Sequence, residues 1–201
     1  MFGLVLLAFF AGAAPAVAQD RTNTPLSPRA ACLQAARAAE RIHGLPDGLL
    51  VAVALAESGL HAYALNIGGR SHYANTAEEA RRLYNSAPAR ASIMAGCVQV
   101  NARVHAPRSD WPLEPYRATD WGGALLRAQY NSTGDWAEAI RRWNGGSRGT
   151  AQRLVCRVRA KMQVSNPGSE VVSGAGCGGA ETARVARSGT ALLEIAEAEG
   201  R

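Results

Sequence analysis

One stretch constrains this chain more than any other: Leu49-Leu50-Val51-Ala52-Val53-Ala54-Leu55-Ala56-Glu57-Ser58-Gly59, an unbroken apolar run that ends on a single carboxylate. Pro46 precedes it as a helix opener and Gly59 follows as a stop. Read as a helix, Leu50, Val53, Ala54 and Glu57 share one face, because positions three or four apart stack. Glu57 then continues the buried stripe instead of pointing to water. Burial disfavours the anion, so the pKa of such a carboxyl rises and the group stays protonated near neutral pH. A general acid needs that property. The competing reading puts Glu57 half exposed on the last turn, or capping a neighbouring backbone.

Two ends of the chain differ from its middle. Met1 to Ala18 reads as a secretory signal peptide: Phe2 to Phe10 is apolar, small residues follow, and Ala16-Val17-Ala18 fits a cleavage site before Gln19. It lacks a preceding Lys or Arg, and no Cys follows in position for a lipid anchor. The expectation is a secreted or periplasmic protein with no stable membrane anchor. Residues 19–29 form a polar, flexible lead. From Val164 the composition turns to Gly, Ser and Ala, so 164–201 reads as a largely disordered tail with a short helix near Thr190 to Glu199. Such a tail can dock on a partner. The four cysteines, Cys32, Cys97, Cys156 and Cys177, suit an oxidising compartment, and they allow three pairings that the sequence does not decide. No Cys or His cluster has metal spacing, so neither metal nor cofactor is expected.

Between those ends, helical signals dominate. Ser27-Pro28 caps a first helix that Gly44 ends. Tyr63 to Tyr73 reads as a small hairpin or irregular loop turning at Gly68-Gly69. Thr76-Ala77-Glu78-Glu79 is a capping box for a helix to about Ser86. Ile93 to Asn101 is apolar apart from Gln99 and Asn101, two amides that need hydrogen-bond partners, backbone or ligand. Thr119 or Asp120 caps a helix from Trp121 to about Tyr130, and Asn131 to Asp135 is a turn. A helix from Trp136 ends at Asn144-Gly145-Gly146, and Thr150 caps the last one. The expected fold is mainly α, one domain over 30–163, with a small β insertion beside a cleft.

The order of motifs resembles a known family. Glu57-Ser58 at a helix end, Gly96-Cys97-Val98-Gln99-Val100-Asn101, and Ala139-Ile140-Arg141-Arg142-Trp143-Asn144-Gly145-Gly146 resemble the catalytic domain of soluble lytic transglycosylases, within the lysozyme-like superfamily. The likeness covers roughly residues 30 to 160. It implies a lysozyme-like helical domain with Glu57 as catalytic acid and base. It implies a sugar-binding role for Gln99, with Asn101, Ser58, Trp143 and Asn144 around it. Trp143 stands where the family usually has Tyr, and an indole donates a hydrogen bond but accepts none. The span from Gly69 to Gly96, with its capped helix, departs from the family as an insertion. Short secreted members have cysteines matching Cys32 and Cys97. The resemblance therefore implies the pair Cys32–Cys97 and, with it, Cys156–Cys177.

The resemblance also implies the reaction. Glycoside hydrolysis ordinarily uses two carboxyl groups. Glu57 has no evident partner, since Glu78 and Glu79 belong to the inserted helix and Asp110, Glu114, Asp120 and Asp135 lie in loops or at helix starts. One-carboxyl cleavage of peptidoglycan glycan strands, leaving a 1,6-anhydromuramoyl end, is the family's reaction. Two alternatives stand beside it: a hydrolase of the same fold, and a non-catalytic wall-binding or assembly module. A secretion or flagellar apparatus protein is the partner expected for the tail. The net charge of +6, nearly all of it from Arg, suits any polyanion, including stem-peptide carboxylates. Nucleic acid is not expected, because no aromatic-basic motif accompanies the charge and export argues against it. Asn66, His72, Tyr63, Tyr73, Trp111 and Tyr116 are further candidates for sugar contact, and His105 for a structural hydrogen bond.

Overall fold

The computed structural model describes residues 25–173 and 176–201. The signal-peptide reading of residues 1–18 lies outside them. The apolar run becomes α2 (Leu49–Glu57), and every residue from Leu49 to Leu55 is buried. A helix that is apolar all round belongs inside a core, and α2 is the central post. Around it pack α1 (Pro28–His43), α5 (Pro115–Thr133), α7 (Arg148–Ser165) and α8 (Gly179–Glu199). The helix α6 (Trp136–Asn144) leans on α5 and α7. Removing Leu50, which is fully buried, would cost about 2–5 kcal/mol as a Leu→Ala change.

The β insertion is a four-stranded antiparallel sheet of order β2-β1-β3-β4. β1 (Ala64–Ile67) and β2 (Arg70–Tyr73) form the expected hairpin. β3 (Ile93–Ala95) adds to β1, and β4 (Val100–Asn101) adds to β3, pairing Met94 with Asn101. The helix α3 (Ala77–Ser86) covers one face of the sheet through a small second core of Leu65, Ala80, Ile93, Ala95 and Leu113. Thr76 caps α3 as expected, accepting from Glu79 N, while Glu79 Oε2 accepts from Asn75 N at 2.8 Å. A single turn, α4 (Ala102–His105), and a 3-10 turn at Trp111–Leu113 lead into α5.

Several boundaries differ from expectation. The lead of 19–29 ends earlier, because Pro28 and Arg29 are already helical under the Ser27 cap. Thr119 and Asp120 are not caps: α5 begins at Pro115, and Thr119 Oγ1 bonds back to Pro115 O at 2.9 Å. Pro at the first helical position starts that helix. The turn placed at 131–135 is shorter, since α5 continues to Thr133 and Gly134 ends it with φ +68°. Ser147, not Thr150, caps α7.

The largest correction concerns 164–201. In place of a largely disordered tail with a short helix, residues 179–199 form the 21-residue α8. It packs against α1 and α7, with Leu192 and Leu193 on the main core and Ala196 buried in it. Lys161 Nζ donates to Val185 O and Ser188 Oγ, Arg37 pairs with Glu197, and Ser27 Oγ donates to Glu199. Small residues allow this helix to approach closely. Both pairings implied above are present: Cys32–Cys97 joins α1 to the segment after β3, and Cys156–Cys177 joins α7 to the entrance of α8. Among the described residues, no helix is long and apolar enough to cross a membrane.

Candidate active site

Glu57 is the last residue of α2 and sits half-buried in a cleft of about 280 Å³. Gln99, Asn101, Trp121, Trp143 and Asn144 line the same cleft. Burial raises the pKa of Glu57, while the Arg157 guanidinium on α7 and a hydrogen bond from Trp143 pull it back. At a helix C-terminus the backbone dipole also opposes a negative charge. The resting group is therefore biased toward the acid. Its conjugate base has two stabilising neighbours, one cationic and one a neutral donor.

Trp143 reaches this position from α6 because α5 lacks a side chain beneath it. A Cβ on Gly122 would come within 3.0 Å of the Trp143 ring. The indole extends an aromatic wall: Trp121 lies 5.9 Å from Trp143, and His105 lies 4.8 Å from Trp121, centroid to centroid. The Trp143 N–H is a donor that favours the Glu57 anion, and an indole cannot take a proton from it.

The segment opposite is shaped by Gly96. Its φ is +77°, and a Cβ there would collide with the Pro112 carbonyl oxygen. The turn it permits places Gln99 at φ +49°, with Nε2 donating to Ala64 O at 3.2 Å and Gly96 O at 3.1 Å. Gln99 thus lines the cleft with its nitrogen engaged. Asn101 is the more exceptional amide: its Oδ1 is buried and has no hydrogen-bond partner among the described residues. A buried acceptor without a donor is costly, and this one belongs to a residue that lines the cleft. Asn144 also lines it, with Nδ2 held by Thr150 Oγ1 at 3.2 Å.

Ser58 is placed elsewhere. It is buried outside the cleft lining, where Oγ donates to Cys97 O at 2.8 Å and accepts from His61 N at 3.0 Å. It ties the end of α2 to the Gln99 segment and is corrected from a sugar contact to a brace. Asn66 is likewise spent on its own hairpin, accepting from Gly69 N at 3.0 Å. Tyr63, His72, Tyr73, Trp111 and Tyr116 do not line the cleft.

Sequence reasoning missed Arg157, Val104 and Leu125. Arg157 follows no apolar periodicity that would point it out, and Val104 and Leu125 read as ordinary helix residues. Among the described residues, no second Asp or Glu lines the cleft, and no group of three or more His, Cys, Asp or Glu could hold a metal ion. Comparison of the chain with protein-family models, with curated proteins and with solved structures returns no match.

Proposed function

We propose that this protein is an exported lytic transglycosylase acting on the glycan strands of peptidoglycan. The observation that carries the reading is the lone carboxyl: Glu57, its pKa raised by burial, in a cleft lined by no other acid among the described residues. A hydrolase of the two-carboxyl type lacks its second group here. A single residue must then serve twice. Glu57 protonates the oxygen of the β-1,4 bond between N-acetylmuramic acid and N-acetylglucosamine. The bond to C1 of muramic acid breaks, and positive charge develops on the ring. The Glu57 carboxylate, held by the Trp143 N–H and the charge of Arg157, then takes the proton of the muramoyl C6 hydroxyl. The C6 oxygen bonds to C1 and closes the 1,6-anhydro ring. Glu57 ends protonated as it began, and no water is consumed.

The other cleft residues support a sugar substrate. Asn101 Oδ1 needs a donor, and sugar hydroxyls and N-acetyl amides supply donors. Trp121 and Trp143 offer ring faces on which a pyranose can lie. The helical domain with its β insertion is the arrangement expected for the lysozyme-like reading. The two disulfides suit an extracytoplasmic site of action.

Digestion of purified sacculi, followed by mass analysis of the released fragments, tests the proposal. Anhydromuropeptides are expected from the native chain and none from Glu57→Gln. Reducing ends in their place would assign a hydrolase, and binding without release would assign a wall-binding module.

A further inference from the structure

A second concavity, about 530 Å³, opens between α3 and the chain that runs from α4 to the 3-10 turn. Tyr84, Asn85, Arg103, Arg108, Ser109 and Asp110 are among its walls. It shares α4 with the Glu57 cleft. Val104 and His105 of that turn line the cleft, whereas Ala102 and Arg103 line the second cavity. The two spaces lie back to back across one helical turn.

The charges in this cavity do not balance. Its one carboxylate, Asp110, is taken by Arg81, whose Nε donates to Oδ2 at 2.8 Å. Arg103 is held by backbone: Nε donates to Ala91 O at 3.2 Å and Nη2 to Pro88 O at 3.0 Å. Carbonyls orient a guanidinium without neutralising it. A group already fixed in this way loses little freedom when it meets an anion. Among the described residues, neither Arg103 nor Arg108 has a carboxylate within ion-pairing distance. Arg108 also has φ +61°, a backbone state that disfavours any residue with a Cβ. Glycine would satisfy that turn with less strain, and arginine adds a cation at the rim. Tyr84 Oη donates to Ser109 O at 2.7 Å, tying α3 to the loop that carries Arg108.

We propose that this cavity binds the carboxylates of an acidic peptide. Resting on the proposed function, that peptide is the stem attached to the lactyl group of muramic acid. The sugars of the strand carry no free charge once the lactyl group is amidated, so the anions of the substrate are on its peptides. A strand lying in the cleft presents a stem at each muramic acid. The neighbouring cavity offers two uncompensated guanidinium groups to receive it. Its volume lies within the ordinary range for a ligand site.

Binding is measured with the Glu57→Gln chain, so that nothing is cut. The probes are purified glycan strands with intact stems, strands stripped of stems by an amidase and then amidated at the freed lactyl carboxylates, and the free stem tetrapeptide. Intact strands should bind about 10-fold tighter than stripped ones, with the margin shrinking as salt rises. Arg103→Gln and Arg108→Gln should each remove about 3-fold of that margin, and the pair should abolish it, leaving stripped-strand affinity unchanged. Arg103→Lys should keep part of it. Arg108 is exposed, so Arg108→Gln keeps the test decisive if Arg103→Gln disturbs folding. Equal affinity for both strands, or equal loss on both, would overturn the peptide site. The two readings fail separately. Cutting by the native chain with no effect of stems sinks the peptide site alone. Stem-dependent binding without cutting sinks the transglycosylase alone.

Discussion

Two carboxyls, Glu40 buried and Glu57 half-buried, stand at opposite ends of one helix. Glu40 reaches from α1 to the start of α2, where Oε2 accepts from Gly48 N at 3.1 Å and Oε1 from Val51 N at 2.9 Å. Glu57 terminates α2 and has Trp143 and Arg157 instead. Burial raises the pKa of both. The difference lies in what consumes their oxygens. Gly48 at the N-cap of α2 has no side chain to cap the helix, so Glu40 supplies both acceptors from outside, at the end where the dipole favours an acid. Its lone pairs are spent on structure. Glu57 sits at the unfavourable end and faces a cleft, where the proposed function needs its proton. A raised pKa alone does not mark an active site; what sets Glu57 apart from Glu40 is that it also lines a cleft.

Truncating each carboxyl separates the two roles most strongly. Glu57→Ala should cut lytic activity by more than about 10²–10⁴-fold, since the group serves two steps, and leave the unfolding midpoint nearly unchanged. Glu40→Ala should lower stability by about 2–4 kcal/mol, because two backbone N–H groups lose their acceptor, while folded molecules keep their activity. Chemical denaturation and turnover on the same samples check both. Equal stability losses would dissolve the contrast.

Trp143→Phe keeps the apolar wall and removes the donor. Activity should fall about 10-fold, and the alkaline limb of the pH profile should move up, because Glu57 loses a neighbour that favours its anion. An unmoved profile would show that the indole is only a wall.

Stability against pH gives a gentler test. The folded pKa of Glu57 lies above its unfolded value near 4.5. The folded state therefore holds more protons in that window, and stability declines as pH rises through the folded pKa. Glu57→Gln should remove that decline, so the variant is the more stable at neutral pH and gains nothing below pH 4.5. The smallest effect is expected from Ser58→Ala: about 1–2 kcal/mol of stability, from the unmatched Cys97 O and His61 N, with a modest loss of activity as the Gln99 segment loosens.

These residues also show what a sequence can carry. The Ser27-Pro28 cap, the Thr76 capping box, the hairpin turn at Gly68-Gly69 and the mainly α fold were legible because each rests on contacts within a few residues. The start of α5 was misplaced because Thr119 and Asp120 look like caps, whereas Pro115 four residues earlier begins the helix. α8 was hidden by its composition: alanine and glycine suggest a tail, and only the groove between α1 and α7 gives Leu192 and Ala196 something to bury. Glu57 was legible from its apolar face. Its setting was legible only in part: the resemblance pointed to Trp143 and Asn101, which line the cleft, whereas Arg157, which acts on Glu57 from outside the cleft lining, sits on a distant helix and left no local signal. Glu40 left one faint trace: a helix opening at Gly48, with no capping side chain, needs an acceptor from elsewhere.

The most direct test of the central claim is the chemistry of the ends that the protein makes. Sacculi digested by the native chain in water labelled with oxygen-18 should release anhydromuropeptides without incorporated label, and Glu57→Gln should release nothing. Reducing muropeptides carrying oxygen-18 would show that water attacks C1, and would contradict a single carboxyl acting first as acid and then as base.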